Sequence, residues 1–259
     1  MLEHIERSWR VCATGFCFLV FGIGGLLLRL LVFPLMRLVV WNRQRQTLLA
    51  RAVIHWTFRF FVALMRALGV LTYEVRGREK LQRQGLLILA NHPTLIDIVF
   101  LMAFVRRADC IVKAALARNP FTRGPVRAAG LVCNDAGPDL VADCIASLRA
   151  GGNLIVFPEG TRTLRDQATR WQRGAANVAV RGGIDVTPVR ISVSQPLLGK
   201  GERWYRVPRK RAHFVFEVDN DIRVGDFLGE SADNKALAAR RLTDKLVHVL
   251  SPEIARAIA

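Results

Sequence analysis

An uncharged stretch near the amino terminus constrains the fold more than any other feature of the sequence. Residues 11–28 read VCATGFCFLVFGIGGLLL without a charged side chain, and apolar residues resume after Arg29. A helix needs about 20 apolar residues to cross a hydrocarbon core of about 30 Å. The run exceeds the apolar core of a usual signal peptide, and no convincing cleavage site follows it. We therefore predict a retained membrane anchor, either a spanning helix or, given Pro34 and the preceding glycines, a hairpin within one leaflet.

Positive charge follows this predicted anchor. Arginines stand at positions 29, 37, 43 and 45, immediately after the apolar run. Segments rich in Lys and Arg beside a membrane helix tend to stay in the cytoplasm. We therefore expect the chain beyond residue 42 to face the cytoplasm.

Residues 47–68 show helical periodicity of a different kind. Within an arc of about 80°, at roughly 100° per residue, lie the basic side chains of Arg51, His55, Arg59 and Arg66. Such a stripe suits an interfacial helix on anionic lipid, and it equally suits a core helix with one solvated edge. We predict membrane-anchor and interfacial helices over residues 1–70 and a separate folded domain over residues 71–259.

The charge composition favours an anionic partner. The chain carries 38 Lys and Arg against 21 Asp and Glu, a formal net charge of +17. The basic residues are not interleaved with the aromatic and glycine patterns of nucleic-acid modules, so we expect no nucleic-acid partner. The five cysteines form no C-x-x-C pair, which argues against a disulfide scaffold or a thiolate zinc site and for a reducing compartment.

After residue 71, short apolar runs alternate with helical segments. This alternation predicts an α/β fold with a mainly parallel sheet flanked by helices. The predicted strands are 71–76, 86–90, 110–113, 131–134, 153–157, 186–193 and 212–218. The predicted helices are 95–105, 120–129, 138–150, 174–181 and 233–250.

Polar residues interrupt one apolar run at the sheet's predicted carboxyl edge. Residues 86–101 read LLILANHPTLIDIVFL, in which Pro93 suits the first position of a helix. The carboxyl edge is where open α/β sheets bind ligands. If His92 lies outside the helix, Asp97 can accept a hydrogen bond from it and fix its tautomer, leaving the other nitrogen to act as a general base. A structural His–Asp pair gives the same spacing, and a metal site would need further ligands.

A second polar interruption occurs at the same predicted edge. Residues 153–162 read NLIVFPEGTR, another apolar strand followed by Glu159, Gly160, Thr161 and Arg162. Glycine lets backbone N–H groups approach a phosphate closely, and a guanidinium binds phosphate in a forked geometry. Glu159 is expected to steer the arginine or to bind a substrate hydroxyl.

The blocks NHPTLID at 91–97 and FPEGTR at 157–162, preceded by apolar amino-terminal helices, together resemble the glycerolipid acyltransferase family, which includes 1-acylglycerol-3-phosphate acyltransferases. The resemblance covers roughly residues 70–195. It implies that His92 is the general base and Asp97 its partner. The residues implied to bind substrate are Asn91, Lys113, Glu159, Gly160, Thr161 and Arg162, with Arg162 on the phosphate and Pro188 matching the last family block.

The resemblance also implies an acyl thioester co-substrate, on coenzyme A or acyl carrier protein, with no bound cofactor and no metal. The implied acceptor is a membrane lysophospholipid such as 1-acylglycerol-3-phosphate. Residues 130–135, GLVCND, lack the arginine that family members often carry there, so Arg123 or Arg127 substitutes for it or the acceptor is a different hydroxylated lipid.

Other classes of function remain open from the sequence. One is a non-catalytic protein that binds anionic lipid, and another is a thioesterase-like hydrolase, although the chain has no nucleophile elbow. A basic tract at 203–211, RWYRVPRKR, suits contact with anionic lipid or an acidic carrier protein, or a plain solvated hairpin edge. The sequence does not fix the acyl chain length, the donor or the oligomeric state.

Overall fold

The computed structural model describes residues 2–112, 114–133, 139–163, 171–228 and 234–251. The strands are β1 (Leu71–Arg76), β2 (Leu87–Ala90), β3 (Ala108–Val112), β4 (Val132–Cys133), β5 (Asn153–Val156), β6 (Val186–Val193) and β7 (Ala212–Val218). The helices are α1 (Leu2–Leu27), α2 (Phe33–Val39), α3 (Arg43–Ala67), α4 (Asp97–Phe104), α5 (Ala114–Arg118), α6 (Arg123–Ala128), α7 (Leu140–Arg149), α8 (Gly174–Gly182) and α9 (Lys235–Leu250).

The strands form one sheet in the order β1-β7-β6-β2-β5-β3-β4. Neighbouring strands run parallel except for β6 and β7, so the prediction of a mainly parallel sheet flanked by helices is confirmed. Leu89 of the central strand β2 aligns with Val156 of β5. The two polar interruptions, which follow β2 and β5, therefore meet at one edge of the sheet.

Both faces of the central strand are buried, as a parallel sheet covered by helices requires. Ile88 and Ala90 belong to a hydrophobic cluster shared with α3 and α4. Leu87 and Leu89 belong to a second cluster shared with α8 and α9. This burial on both faces fixes β2 rigidly and hence the turn that follows it.

The amino-terminal helices lie against this domain. Two helical stretches, His4–Val39 and Arg43–Ala67, are long and apolar enough to cross a membrane by length and composition. Near the start of α1, the Arg10 guanidinium donates a hydrogen bond to the carbonyl of Pro208, and just beyond its end the Arg29 guanidinium donates to that of Pro120. Its other face exposes large apolar side chains, namely Ile5, Trp9, Phe16, Leu19, Ile23 and Leu27.

The predicted bend at Pro34 is not where the chain turns. A π-helical segment, Leu28–Val32, joins α1 to α2, and Pro34 lies in the first turn of α2. Because the N–H groups of the first helical turn have no acceptor within that helix, the missing N–H of proline costs little there. The chain reverses at residues 40–42 instead, and α3 returns along α1 with Phe21 stacked on Phe58.

Two of the four basic residues in the stripe on α3 are buried against the domain. The Arg51 guanidinium lies 2.7 Å from the Asp109 carboxylate and is buried. His55 is also buried, with its Nδ1 2.9 Å from the carbonyl oxygen of Met102. The prediction of an interfacial, lipid-facing stripe is therefore wrong for these two residues, because protein groups satisfy them. Arg59 and Arg66 are exposed.

The predicted domain boundary at residue 70 stays a prediction. Ile54, Phe61 and Met65 of α3 belong to the same hydrophobic cluster as the sheet. Several element bounds also differ from expectation: β3 begins at Ala108, α4 begins at Asp97, and α5 had no counterpart among the predicted helices.

The Arg51–Asp109 pair makes a stability prediction. The Asp109 carboxylate also accepts hydrogen bonds from the Ser147 hydroxyl and the Cys110 backbone N–H. Asp109→Ala leaves the Arg51 charge buried without its partner, so we expect a loss of about 3–5 kcal/mol in the free energy of unfolding, measured by urea denaturation in detergent.

The matched control is Glu74→Ala, which breaks an exposed pair with Arg76 of similar length, 2.8 Å. Solvent screens exposed pairs, so this variant should be close to wild type. Equal losses for the two variants would contradict the buried-pair account.

Candidate active site

Asn91 fixes the turn between β2 and α4. Its side-chain amide donates a hydrogen bond to the carbonyl of Ile191 at 2.8 Å and accepts one from the backbone N–H of the same residue at 2.7 Å. The side chain is buried. Both of its polar atoms are thus used by β6, and we assign Asn91 to positioning the turn rather than to direct contact with a substrate.

His92 and Asp97 are paired, as the sequence predicted. The His92 Nδ1 lies 2.9 Å from Asp97 Oδ2. Pro93 is not at the first position of the helix: α4 begins at Asp97, and residues 91–96 form the preceding turn. Because His92 lies outside the helix, its ring can reach Asp97. In a regular helix, residues five apart point in different directions and could not pair.

Thr94 also binds the Asp97 carboxylate, a contact that the sequence analysis did not predict. Its backbone N–H donates to Asp97 Oδ2 at 2.7 Å, and its hydroxyl donates to Oδ1. Asp97 is completely buried, and this burial raises its pKa against the opposing effect of the His92 and Thr94 hydrogen bonds. The carboxylate is therefore held by three protein donors and not by solvent.

The hydrogen bond to Asp97 decides the tautomer of His92. A carboxylate accepts hydrogen bonds, so the Nδ1 carries the proton and the Nε2 presents a lone pair. The ring stacks on Phe157, with centroids 4.1 Å apart and planes at 18°. The side chain is 17% exposed, so the ring is fixed in orientation yet reachable. This arrangement suits a general base.

Glu159 joins the two turns. Its Oε1 accepts a hydrogen bond from the His92 backbone N–H at 2.9 Å and another from the Thr163 hydroxyl at 2.8 Å. The Thr163 backbone N–H donates in turn to the His92 carbonyl at 2.8 Å. The expected steering of Arg162 by Glu159 is not seen among the described residues. Instead Glu159 positions the backbone of the candidate base.

Arg162 lies at the same edge but is tied to a third segment. Its Nη1 donates hydrogen bonds to the carbonyls of Leu198 and Gly199, at 3.0 and 2.7 Å. The Leu95 backbone N–H donates to the same Leu198 carbonyl at 3.0 Å. Leu198 has a φ of +57°, a strained conformation for a residue other than glycine. The three segments are thus clamped together at Leu198.

Three further predicted residues, Gly160, Thr161 and Pro188, lie at the edge of the sheet or just behind it. Gly160 has a φ of +65° and closes a tight turn, and Thr161 beside it is half-buried. Pro188 aligns with Leu89 inside the sheet, behind the edge. Lys113 lies outside the described residues.

Arg123 and Arg127, the suggested substitutes for the missing arginine, belong to α6. This helix packs near the end of α1, where Gly124 lies against Arg29. Among the described residues, no hydrogen bond or ion pair links either arginine to the two turns. Their proposed part in binding the acceptor stays a prediction.

Glu159 makes a prediction about pH. Burial raises its pKa, and the hydrogen bonds from Thr163 and His92 oppose that rise only in part. The folded chain therefore binds the Glu159 proton more tightly than the unfolded chain does. The stability that this proton contributes is complete below the usual pKa of a glutamate. It is lost as the pH rises through the raised pKa of Glu159 in the folded protein. Glutamine does not ionise, so we expect Glu159→Gln to gain in free energy of unfolding relative to wild type as the pH rises.

Urea denaturation of both proteins across that pH range measures the effect. Asp244→Asn, which changes an exposed carboxylate on α9, serves as the control and should follow the wild-type profile. Parallel profiles for wild type and Glu159→Gln would contradict a raised Glu159 pKa.

Comparisons with known proteins bear on the fold and on the family. The crystal structure of the 1-acyl-sn-glycerophosphate (LPA) acyltransferase PlsC from Thermotoga maritima matches with a TM-score of 0.68 and 20% identity, covering 96% of this chain and 98% of that one. The two chains therefore share one fold over nearly their whole length. Residues 72–192 match the family model described as Acyltransferase.

Curated relatives match about half of the chain. A 1-acyl-sn-glycerol-3-phosphate acyltransferase of Pseudomonas aeruginosa is 28% identical over 151 residues, covering 56% of this chain and 59% of that protein. A lyso-ornithine lipid O-acyltransferase of the same organism is 31% identical over 133 residues, covering 50% and 51%. The chain thus spans half to three-fifths of the length of these relatives. Over residues 72–192 the chain is therefore similar to the glycerolipid acyltransferases.

Proposed function

We propose that this protein transfers a fatty acyl group from an acyl thioester, on coenzyme A or acyl carrier protein, to a hydroxyl of a lysophospholipid. The observation that carries the proposal is the His92–Asp97 pair, because its hydrogen bond leaves the Nε2 lone pair available at the edge of the sheet. The same edge carries Arg162, which is the candidate contact for an acceptor phosphate.

The geometry supports a direct transfer. The His92 Nε2 accepts the proton of the acceptor hydroxyl while the hydroxyl oxygen forms a bond to the thioester carbonyl carbon. The imidazolium that results is stabilised by the buried Asp97 carboxylate 2.9 Å from Nδ1. The tetrahedral intermediate then releases the thiolate, which takes the proton from His92. The products are an ester and a free thiol, and the histidine returns to its starting state.

The membrane supplies both the acceptor and a surface for the reaction. Apolar side chains cover the outward face of α1 over most of its length, and α1 is fixed to the domain at both ends. We propose that α1 rests in the cytoplasmic leaflet of a bacterial inner membrane with the domain on the cytoplasmic side. This arrangement confines the search for lipid substrate to a plane.

A second acceptor is favoured by two observations. The sequence lacks an arginine over residues 130–135, and one relative is named for a lyso-ornithine lipid, an acceptor of a different chemical class from 1-acylglycerol-3-phosphate. A lyso-ornithine lipid is therefore the alternative acceptor.

Product analysis tests both the reaction and the acceptor. The purified protein is incubated with a labelled acyl thioester, on either coenzyme A or acyl carrier protein. The acceptor is either 1-acylglycerol-3-phosphate or a lyso-ornithine lipid, and the products are identified by mass spectrometry. The proposal predicts acylated lipid and free thiol in equal amounts. Free fatty acid without acylated lipid would show a hydrolase, and no turnover with any pair would overturn the proposed function.

A further inference from the structure

A second concave site lies at the end of α4 opposite the catalytic turn. A cavity of about 340 Å³ opens there between α3, the 3₁₀ helix Arg78–Gln82 and the segment after α4. Asp97 begins α4 and Phe104 ends it, so at 1.5 Å per residue roughly 10 Å of helix separates the two sites. The volume lies in the range of small-molecule sites, about 300–1,000 Å³. The proposed acyl transfer uses none of the lining residues.

The charge of this cavity is strongly positive. Arg59, Arg78 and Arg106 line it, with Glu79 as the acidic residue beside them. Among the described residues, none of the three guanidinium groups forms an ion pair. Three arginines drawn from three separate segments are thus gathered at one opening, and the Glu79 carboxylate beside them pairs with none of the three.

Two of these guanidinium groups are held in place by aromatic rings. The Arg59 guanidinium lies 4.9 Å from the centroid of the Trp56 ring, and that of Arg78 lies 5.8 Å from the Phe104 ring. A guanidinium over a ring face is attracted to it, and this contact uses none of its N–H donors. The site is therefore preorganised for an anion.

The backbone beside Arg106 is also fixed. Its carbonyl accepts a hydrogen bond from the Asn153 amide at 2.9 Å, and the next residue, Arg107, has a φ of +52°. Strained conformations of this kind persist where the surrounding structure imposes them, often at ligand sites.

Capping of α4 does not account for the arginines. The carbonyls of Met102 and Val105, at the carboxyl end of α4, already face the His55 Nδ1 at 2.9 and 3.1 Å. His55 thus satisfies this end of the helix from the cavity wall. The three arginines have no comparable task among the described residues.

We propose that this cavity binds a phosphate group through Arg59, Arg78 and Arg106. Guanidinium groups match phosphate oxygens in a forked, charge-assisted geometry. The exposed rings of Trp56 and Phe60, 62% and 60% exposed on the same stretch of α3, favour the phosphate of an anionic phospholipid headgroup. A soluble phosphate compound offers the same chemistry, so the test separates the two sources.

The test compares two triple variants of equal charge. Arg59→Gln/Arg78→Gln/Arg106→Gln removes the cavity's arginines, whereas Arg149→Gln/Arg181→Gln/Arg240→Gln removes three exposed arginines of α7, α8 and α9. One arm titrates inorganic phosphate into the detergent-solubilised protein by calorimetry. The other floats the protein with vesicles of phosphatidylcholine alone or mixed with equimolar phosphatidylglycerol. Arg78→Gln alone is included because it alters a single exposed side chain.

The expected result is at least about a tenfold loss of affinity for the cavity variant and less than about a twofold loss for the control, since charge-assisted hydrogen bonds to phosphate are stronger than neutral ones. A loss confined to vesicles containing phosphatidylglycerol identifies a lipid headgroup. A loss confined to inorganic phosphate identifies a soluble ligand. Equal behaviour of the two triple variants, with Arg78→Gln unchanged, would overturn the site. The readout is binding and does not depend on acyl transfer.

Discussion

His92→Ala is expected to lower the kcat for acyl transfer by about 10²–10⁴-fold, the usual contribution of a positioned general base. Alanine removes the Nε2 lone pair that accepts the proton of the acceptor hydroxyl. The main-chain hydrogen bonds of residue 92 to Glu159 and Thr163 do not involve the ring and are kept. The variant should therefore fold and bind both substrates while losing turnover. Steady-state kinetics with a labelled thioester measure the effect.

His213→Ala is the matched control. This histidine lies on β7, and its Nδ1 lies 2.8 Å from the Thr72 hydroxyl, away from the two turns. Its removal should leave kcat within a few-fold of wild type. If His92→Ala kept most of the wild-type activity, His92 would not be the base and the proposed transfer would lose its chemistry.

Asp97→Asn is expected to lower kcat by about 10²–10⁴-fold with little change in KM. Asparagine has nearly the shape of aspartate, and its oxygen can still accept the hydrogen bonds from His92 Nδ1 and the Thr94 N–H. Its amide group can donate to the Thr94 hydroxyl. What disappears is the buried negative charge that stabilises the imidazolium, and that charge matters most in the transition state.

Thr94→Val separates the charge of Asp97 from its orientation. It removes the hydroxyl hydrogen bond to Oδ1 and keeps the carboxylate. We expect a smaller loss of kcat than for Asp97→Asn, with a loss of thermal stability from the unpaired carboxylate oxygen. Activity of Asp97→Asn close to wild type would mean that the carboxylate serves structure alone.

Much of the fold and the core of the site could be predicted from the sequence. Buried strands of a parallel sheet are short apolar runs, so each polar interruption after such a run marks a turn at the carboxyl edge. The His92–Asp97 pair followed from this placement. What sequence reasoning placed wrongly was the start of α4, because the Asp97 carboxylate binds the preceding turn through Thr94.

Contacts between distant segments could not be predicted. The buried pair of Arg51 and Asp109 joins residues 58 positions apart, and an amphipathic helix has the same pattern whether it faces lipid or protein. The clamp at Leu198 has no local signal, since a leucine in a loop does not indicate a left-handed backbone. Thr163 could have been suspected, because it directly follows the second block.

The protonation of His92 tests the central claim most directly. Nitrogen-15 NMR of the protein, with the ring signals assigned by comparison with His92→Ala, reports which nitrogen of the neutral ring carries the proton. The hydrogen bond to Asp97 predicts a protonated Nδ1 and a bare Nε2. A proton on Nε2 in the neutral ring would contradict the account, because no lone pair would then face the acceptor hydroxyl.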